Sequence, residues 1–377
     1  MSNWQLLASA HSRAVGEKIL ALCAQLPEGP GVVIASGGTS GKQRWCLQPR
    51  SNLEAAAASC GQWLHSIGLD PEKVVVVNPL PSHHMGGLMP QVRAQLWGVP
   101  LLELSPEQLK NPAALADEQR NNPAFKTREA LISLVPTQLH RLLEDPDGIR
   151  WLKGFALIWV GGAGLGPNLA AAARRQQLPL APCYGATETA AMVTAQTPSQ
   201  FLAGSNSCGQ PLADVQLRLD PITNGIEIRT PRLSPGWLAG AKVLPFVNNS
   251  GWWCSGDAGG YLSDGLCLLG RLDGALNSGG STVFPEQIEA ALSETPGLAA
   301  LLVIGVADLE WGERLVALVR IEAEFDSKQV IGNLCAKAAD LAPAERPKNW
   351  LICPQLTLNS QGKWERKRWL QWAQQHI

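Results

Sequence analysis

Apolar residues in the first two thirds of the chain come in short runs separated by longer amphipathic stretches. Gly31-Val32-Val33-Ile34-Ala35 reads as a strand, and Val74-Val75-Val76-Val77 is a four-valine run of the kind covered on both faces of a sheet. Gly87 to Trp97 predicts a helix and Val99 to Leu104 a strand. Ala130 to Val135 is another apolar strand, and Pro136-Thr137 opens a helix through Leu143, proline being well tolerated in the first helical turn. Phe155 to Val160 predicts a strand, an Ala-rich helix starts near Asn168, and Leu180 to Tyr184 is a short strand. This alternation predicts an α/β fold with a mostly parallel sheet wrapped by helices.

After residue 205 the period shortens to two. Val215 to Leu219 and Gly225 to Arg229 alternate apolar and polar positions, the pattern of half-solvated antiparallel strands. Gly259 to Leu268 reads as a hairpin turning at Asp264-Gly265. From Asp273 a third pattern begins. Pro285 to Leu292 predicts a helix with Ile288, Ala291 and Leu292 on one face. Strands at Leu301 to Val306 and Leu315 to Ile321, a helix over Ser327 to Leu341, a strand at Leu351-Ile352 and a basic, Trp-bearing tail helix from Trp364 follow. The expected organisation is a large domain over 1–272, with a β-rich subdomain, and a small mobile α+β domain over 273–377.

Composition narrows the functional classes. The 377 residues carry a net charge of −1, so no bulk attraction to nucleic acid or an anionic membrane is expected. Nine cysteines without CxxC or zinc-finger spacing fit a reduced cytosolic protein rather than a disulfide scaffold. The amino terminus lacks a basic start followed by an apolar core, so no secretory signal is expected. Gly154 to Ala173 is uncharged, but its glycines and Pro167 break it into strand, loop and helix, so no membrane insertion is expected. The chain reads as cytoplasmic. The basic tail reads as an exposed face with its tryptophans packed inward.

Six stretches carry candidate chemistry. "SGGTSGKQR" offers hydroxyls at Ser36, Thr39 and Ser40, glycines at Gly37, Gly38 and Gly41, and a cation at Arg44. Aligned as a Walker A loop on Gly41-Lys42, it has Ser36 in place of the first glycine and Gln43 in place of the metal-binding hydroxyl. That excludes a P-loop NTPase and leaves an anion-friendly loop. Gly161-Gly162-Ala163 ends a predicted strand, at the carboxyl edge where open α/β sheets bind ligands. "YGATET" brings Tyr184, Gly185, Thr187 and Glu188 together after the next strand. Asp257 is expected in a Gly-rich turn, Arg271 and Asp273 at the domain junction ahead of Ser278-Gly279-Gly280, and Lys363 follows Gly362 near the end.

In this order the six stretches resemble the adenylate-forming superfamily of acyl-CoA synthetases, luciferases and peptide-synthetase adenylation domains. The resemblance runs from about residue 30 to the end. Tyr184 to Glu188, Ser255 to Asp257, Gly270 to Asp273, Pro285 to Glu289, and Gly362, Lys363 and Arg366 match its boxes, while Gln43 stands where the phosphate loop usually has Pro. The resemblance implies that ATP and a carboxylate give an acyl-adenylate and pyrophosphate, with coenzyme A as the second acceptor. It places the 36–44 loop on the β/γ-phosphates, Glu188 on Mg²⁺, and Tyr184 against adenine beside Gly185 and the Gly161-Gly162-Ala163 backbone. It further implies Asp257 and Arg271 on the ribose, Lys363 on the carboxylate and α-phosphate, Thr187 beside Glu188, and Asp273 as the hinge. Rotation about Asp273 would exchange Lys363 for the loop around Gly280.

The acid is read from three stretches. Ser278 to Gly280, Val135 to Leu143 and "LPSHHMGGL" with His84 resemble the o-succinylbenzoate–CoA ligases of menaquinone and phylloquinone synthesis. His84 reads equally as a substrate contact or as a packing histidine of the acyl pocket. Thr137, Gln138, Thr189 and Ala190 are expected along the acyl tunnel, and Arg93, Gln138 or His84 at the acid's distal carboxylate. The expected partner is this small carboxylic acid and not nucleic acid, with a homo-oligomer left open. The alternatives are another aryl or acyl acid–CoA ligase, and a non-catalytic nucleotide- or acyl-binding member.

Overall fold

The computed structural model describes residues 4–23, 26–36, 44–240, 242–278, 280–308, 312–358 and 364–377. Its central sheet has seven strands, in the order Gln210–Pro211, Ala191–Ala195, Leu180–Ala186, Leu157–Val160, Glu129–Leu134, Val74–Asn78, Leu101–Glu103. The last five are mutually parallel and the first two are antiparallel additions. Counted from the 101–103 edge, the parallel strands come second, first, third, fourth and fifth in the chain. That is a doubly wound order, and its switch point lies between the 74–78 and 129–134 strands.

The valine run explains itself in this sheet. Val74 to Val77 are all at most 3% exposed. Val74 and Val76 join Leu131, Leu157, Trp159 and Tyr184 on one face, whereas Val75 and Val77 join Ile132, Leu134, Ile158 and Val160 on the other. Each such side chain contributes about 1.5–3 kcal/mol by leaving water, so both faces must be covered. Helices Arg50–Ser66 and Met85–Trp97 supply the first face, and Pro136–Leu143 and Pro167–Arg175 the second. The carboxyl ends of the parallel strands therefore emerge together. They carry 79–84, 135–138, 161–163 and 185–189.

Two further sheets flank this core. One comprises Trp4–Leu7, Gly31–Ser36, Arg44–Pro49, Trp237–Ala239 and Lys242–Leu244. Within it Ser36 pairs with Arg44 across an antiparallel hairpin, so the polar loop joins two strands rather than a strand and a helix. The other is antiparallel, as the period of two predicts, and comprises Gln216–Leu219, Gly225–Arg229, Trp253–Leu262 and Gly265–Arg271.

Two expectations are corrected here. The hairpin loop is Ser263-Asp264, with Gly265 already paired to Leu262. Gly265 is held there because a β-carbon would lie 2.3 Å from the Gly209 backbone. Asp257 sits inside a strand opposite Arg271, not in a turn. The glycines around it serve a register shift at Ala258/Gly259 and the close packing of Arg271 on Gly256.

The carboxy-terminal part builds its own sheet from Leu276–Ser278, Ser281–Val283, Leu298–Asp308, Gly312–Ile321 and Asn349–Ile352. Helices Pro285–Leu292 and Ser327–Ala338 cover one face and Arg366–Gln374 the other. Trp369 of the last helix is 1% exposed against Leu302, Ile304, Val316 and Leu318, so the basic tail does pack its tryptophan inward. Gln287 ties this part to the preceding strand by donating to the carbonyls of Leu268 and Leu269 at 3.0 and 2.9 Å. Among the described residues, no helix is long and apolar enough to cross a membrane.

Candidate active site

Tyr184 and Asp257 come from different sheets and meet where the parallel strands end. The Tyr184 hydroxyl donates to Asp257 Oδ2 at 2.7 Å. Arg271 Nη1 donates to Asp257 Oδ1 at 3.1 Å and to the Ser255 carbonyl at 3.3 Å. Its Nε and Nη2 reach Asp273 at 3.0 and 3.3 Å. Gly256, at φ +79°, allows the approach, since a β-carbon there would lie 2.9 Å from Arg271 Nη2. Burial, followed by the Asp257 charge, pushes the Tyr184 hydroxyl well up, so it stays a proton donor. Burial works against the Arg271 charge, but Asp273 and Asp257 outweigh it and raise its pKa. Asp257 is 24% exposed. A carboxylate so held keeps free lone pairs for two adjacent hydroxyls. Tyr184 is 8% exposed and packed in the core, with its hydroxyl bonded to Asp257.

The turn that follows is held from several sides. The Thr187 carbonyl accepts from Gln48 Nε2 at 2.6 Å, that of Glu188 from the Ser234 N–H at 2.8 Å, and that of Thr189 from Arg232 Nη1. Arg232 is fully buried and paired with Asp214 at 2.6 Å. Ala190 and Ala191 sit at φ +52° and +81°, a conformation that side chains rarely adopt and that the surrounding bonds must enforce. Glu188 is 8% exposed, and its carboxylate accepts the Trp237 indole N–H at Oε1, 3.0 Å away. Oε2 takes no hydrogen bond from the described residues. Among them, no group of three or more His, Cys, Asp or Glu could hold a metal alone. A single carboxylate suits Mg²⁺ held mainly by phosphate oxygens and water.

Other expected residues lie around this core. Ser36 and Arg44 mark the base of the polar loop, whose residues Gly37, Gly38, Thr39, Ser40 and Gly41 lie outside the described residues, as does Lys363. Arg44 stacks over the Trp237 ring at 4.5 Å. Gly161 packs on Cys183, whose Sγ a β-carbon would meet at 2.9 Å, and Gly162 takes φ +80°. Gly162 and Ala163 are exposed at the bend. Gly185 is required because a β-carbon would lie 2.2 Å from the Ala191 carbonyl. Gly280 adopts φ +78° between the 276–278 and 281–283 strands. Arg366 donates to the Val303 carbonyl at 2.7 Å and bridges Glu286 and Glu289 at 3.1 and 3.3 Å.

The acyl-pocket candidates separate. Thr189 and Ala190 are fully buried and the Thr189 hydroxyl is spent inside the turn, so they brace it rather than line a tunnel. Thr137 is exposed. Gln138 is committed across the switch point, accepting the Val135 N–H at 3.2 Å and donating to the Pro79 carbonyl at 3.4 Å. His84 is exposed ahead of the 85–97 helix, its ring 4.4 Å from that of His83. Arg93 differs from all of these. It is 5% exposed, its guanidinium lies 4.6 Å over the Trp159 ring, and Nε has no hydrogen-bond partner among the described residues.

Gln48, Arg232, Ser234 and Trp237 escape the sequence reading. None falls in a glycine-rich box, and a buried arginine carries no local signature that separates it from a solvated one.

A family model described as AMP-binding enzyme matches residues 8–226, and one described as AMP-binding enzyme C-terminal domain matches 287–363. The chain belongs to the AMP-binding enzyme family. The adenylate-forming resemblance and the α/β fold class both stand. The 2-succinylbenzoate–CoA ligase of Salmonella typhimurium is 33% identical over 242 residues, 64% of this chain and 50% of that one. The ligase of the same name from Listeria monocytogenes is 27% identical over 339 residues, 89% and 68% of the two chains. This chain thus spans between half and about two thirds of those relatives. The solved o-succinylbenzoate CoA synthetase of Bacillus subtilis, in complex with its acyl-adenylate intermediate, superimposes with a TM-score of 0.75 at 22% identity, covering 90% of this chain and 68% of that one.

Proposed function

We propose that this chain is an ATP-dependent carboxylate–CoA ligase that converts o-succinylbenzoate to its coenzyme A thioester through an acyl-adenylate, a step of menaquinone or phylloquinone synthesis. The observation that carries the reading is the convergence of Tyr184, Asp257, Arg271 and Glu188 at the carboxyl edge of one doubly wound sheet, in a chain of the AMP-binding family. The names of the two ligase relatives support the acid.

In this reading Asp257, steadied by Tyr184 and Arg271, accepts hydrogen bonds from the ribose hydroxyls. The Gly161-Gly162-Ala163 bend gives the base a surface with no side chain larger than a methyl. Ser36 and Arg44 bracket the loop that binds the β/γ-phosphates, and Glu188 holds Mg²⁺, which when bound neutralises phosphate charge. Thr187, held beside Glu188, is close enough in sequence to serve the same phosphates. A carboxylate oxygen of the acid attacks the α-phosphorus, and pyrophosphate leaves with the electron pair of the broken P–O bond. Lys363 offsets the negative charge gathered at that phosphorus. The coenzyme A sulfur then attacks the acyl carbon, its proton passes to solvent, and AMP departs.

The acid's second carboxylate is assigned to Arg93, the buried cation with an unused N–H. Of the other two candidates, Gln138 is already committed and His84 is exposed. The division into 1–272 and 273–377 with Asp273 as hinge is supported by the separate carboxy-terminal core and by the end of the Tyr184–Asp257–Arg271 chain at Asp273. Rotation there would exchange Lys363 for the loop at Gly280 between the half-reactions. A ligase consuming ATP and coenzyme A is placed in the cytoplasm with those substrates.

Product analysis tests the reading. With o-succinylbenzoate and coenzyme A the expected products from ATP are AMP and pyrophosphate. ADP would overturn it. AMP release with a different aryl acid alone would keep the ligase and remove the acid.

A further inference from the structure

Trp237 touches both halves of the triphosphate site. Its indole N–H donates to Glu188 Oε1 at 3.0 Å, and its ring lies beneath the Arg44 guanidinium at 4.5 Å. Glu188 lies in the turn between two strands of the central sheet, and Arg44 opens a strand of another sheet. Trp237 belongs to the second sheet, paired with Cys46 on one side and Leu244 on the other. Its own position is fixed. Phe246 packs on it with ring centroids 4.7 Å apart, and Trp253 packs on Phe246 at 5.5 Å. The neighbouring Ser234 N–H holds the Glu188 carbonyl, so one short segment fixes both the backbone and the carboxylate of this residue.

We propose that Trp237 is a positioning residue for the nucleotide–metal site, setting the Glu188 carboxylate through its N–H and the Arg44 end of the phosphate loop through its ring. This rests on the ligase reading, in which Glu188 takes the metal and the 36–44 loop the phosphates. On a residue only 8% exposed, anchoring one carboxylate oxygen restricts how the other can be presented. A cation lying on an indole face is held in place without losing its charge. Both effects orient groups before the nucleotide arrives, so the tryptophan contributes to affinity without touching the reacting atoms.

The test is calorimetric titration of the full chain with α,β-methylene ATP, with Mg²⁺ and with EDTA, on wild type, Trp237→Phe, Trp237→Leu and Glu188→Gln. Trp237→Phe keeps the ring and removes the donor. It is expected to weaken Mg²⁺–nucleotide binding about tenfold, the loss of one hydrogen bond to a charged group, and to leave metal-free binding within about twofold. Trp237→Leu removes the ring as well and is expected to weaken both. In the Glu188→Gln background Trp237→Phe is expected to add nothing to the metal-dependent loss. If Trp237→Phe matches wild type with Mg²⁺, or if its loss adds in full to that of Glu188→Gln, the inference fails and the ligase reading survives. A folded wild type that binds no nucleotide under either condition overturns the ligase reading itself. Trp237→3-benzothienylalanine, which keeps the bicyclic ring and has sulfur in place of the N–H, serves if Trp237→Phe does not fold, and the same criteria apply to it.

Discussion

Tyr184 and Asp257 lie 73 positions apart, yet their side chains share a hydrogen bond of 2.7 Å where two sheets meet. The bond is one of two that orient the carboxylate, the other coming from Arg271. Removing the hydroxyl leaves the charge in place but frees its direction.

Tyr184→Phe is expected to weaken AMP binding about tenfold, from a hydrogen bond to a charged group worth about 1.5–3 kcal/mol. Asp257→Ala is expected to weaken it further, because it leaves the Arg271 cation at the proposed ribose site without its carboxylate. Titration calorimetry with AMP checks both. Equal affinity of Tyr184→Phe and wild type would mean that Arg271 alone orients Asp257.

Arg93→Gln is expected to raise the KM for o-succinylbenzoate by about a hundredfold, since truncating one partner of a buried charge pair costs about 2–5 kcal/mol. The KM for ATP is expected to stay within about twofold. Arg93→Lys should fall between, because an ammonium lacks the planar fork of the guanidinium. An analogue without the second carboxylate is expected to be used equally by wild type and Arg93→Gln. Steady-state kinetics with both acids decides, and a parallel loss on the two acids would place Arg93 in the core rather than at the substrate.

What the sequence discloses follows from how each residue does its work. Strands buried on both faces, such as Val74–Asn78, announce themselves because every position must be apolar. The glycine boxes are legible because close approaches, such as Gly185 to the Ala191 carbonyl, admit no other residue. Helix Arg50–Ser66 is not legible. Between the buried Leu53 and Leu64 its other buried positions are filled by Ala56, Ala57, Ser59, Cys60 and Gly61, small residues that leave a weak apolar stripe. The supports of Glu188 are equally silent. Gln48, Arg232 and Trp237 reach Thr187, Thr189 and Glu188 of this turn from 139, 43 and 49 residues away, and only the assembled sheets bring them together. Asp257 was legible as a candidate but not as part of a strand, because glycines that serve a bulge look like glycines that serve a turn.

Lys363→Ala is expected to slow the adenylation half-reaction by about 10²–10³, the usual effect of removing one group aimed at developing charge. Thioester formation from supplied acyl-adenylate and coenzyme A is expected to change by no more than a few fold, because the role proposed for the lysine ends once the phosphate has been attacked. Pyrophosphate exchange and single-turnover thioester formation measure the two steps separately. Equal losses in both would remove the exchange of Lys363 for the Gly280 loop from the mechanism.

The carboxy-terminal part carries a pH dependence of its own. Burial pushes the Glu289 carboxyl up to about 7, against the Arg366 charge and the Val303 N–H bond that favour ionisation, and with Glu286 adding to the rise. The unfolded chain releases this proton near the ordinary value of 4.5, so between the two values the native state binds the proton more tightly. The stabilisation is therefore whole below about pH 4.5 and is lost as the pH rises through about 7. Glu289→Gln mimics the protonated form and cannot lose it. The expectation is that the variant gains melting temperature over wild type as the pH goes from about 5 to about 8, while Arg366 keeps Glu286 as its partner. Calorimetric melting at several pH values checks this, and curves that run parallel across that range would show that Glu289 ionises as an ordinary carboxylate does.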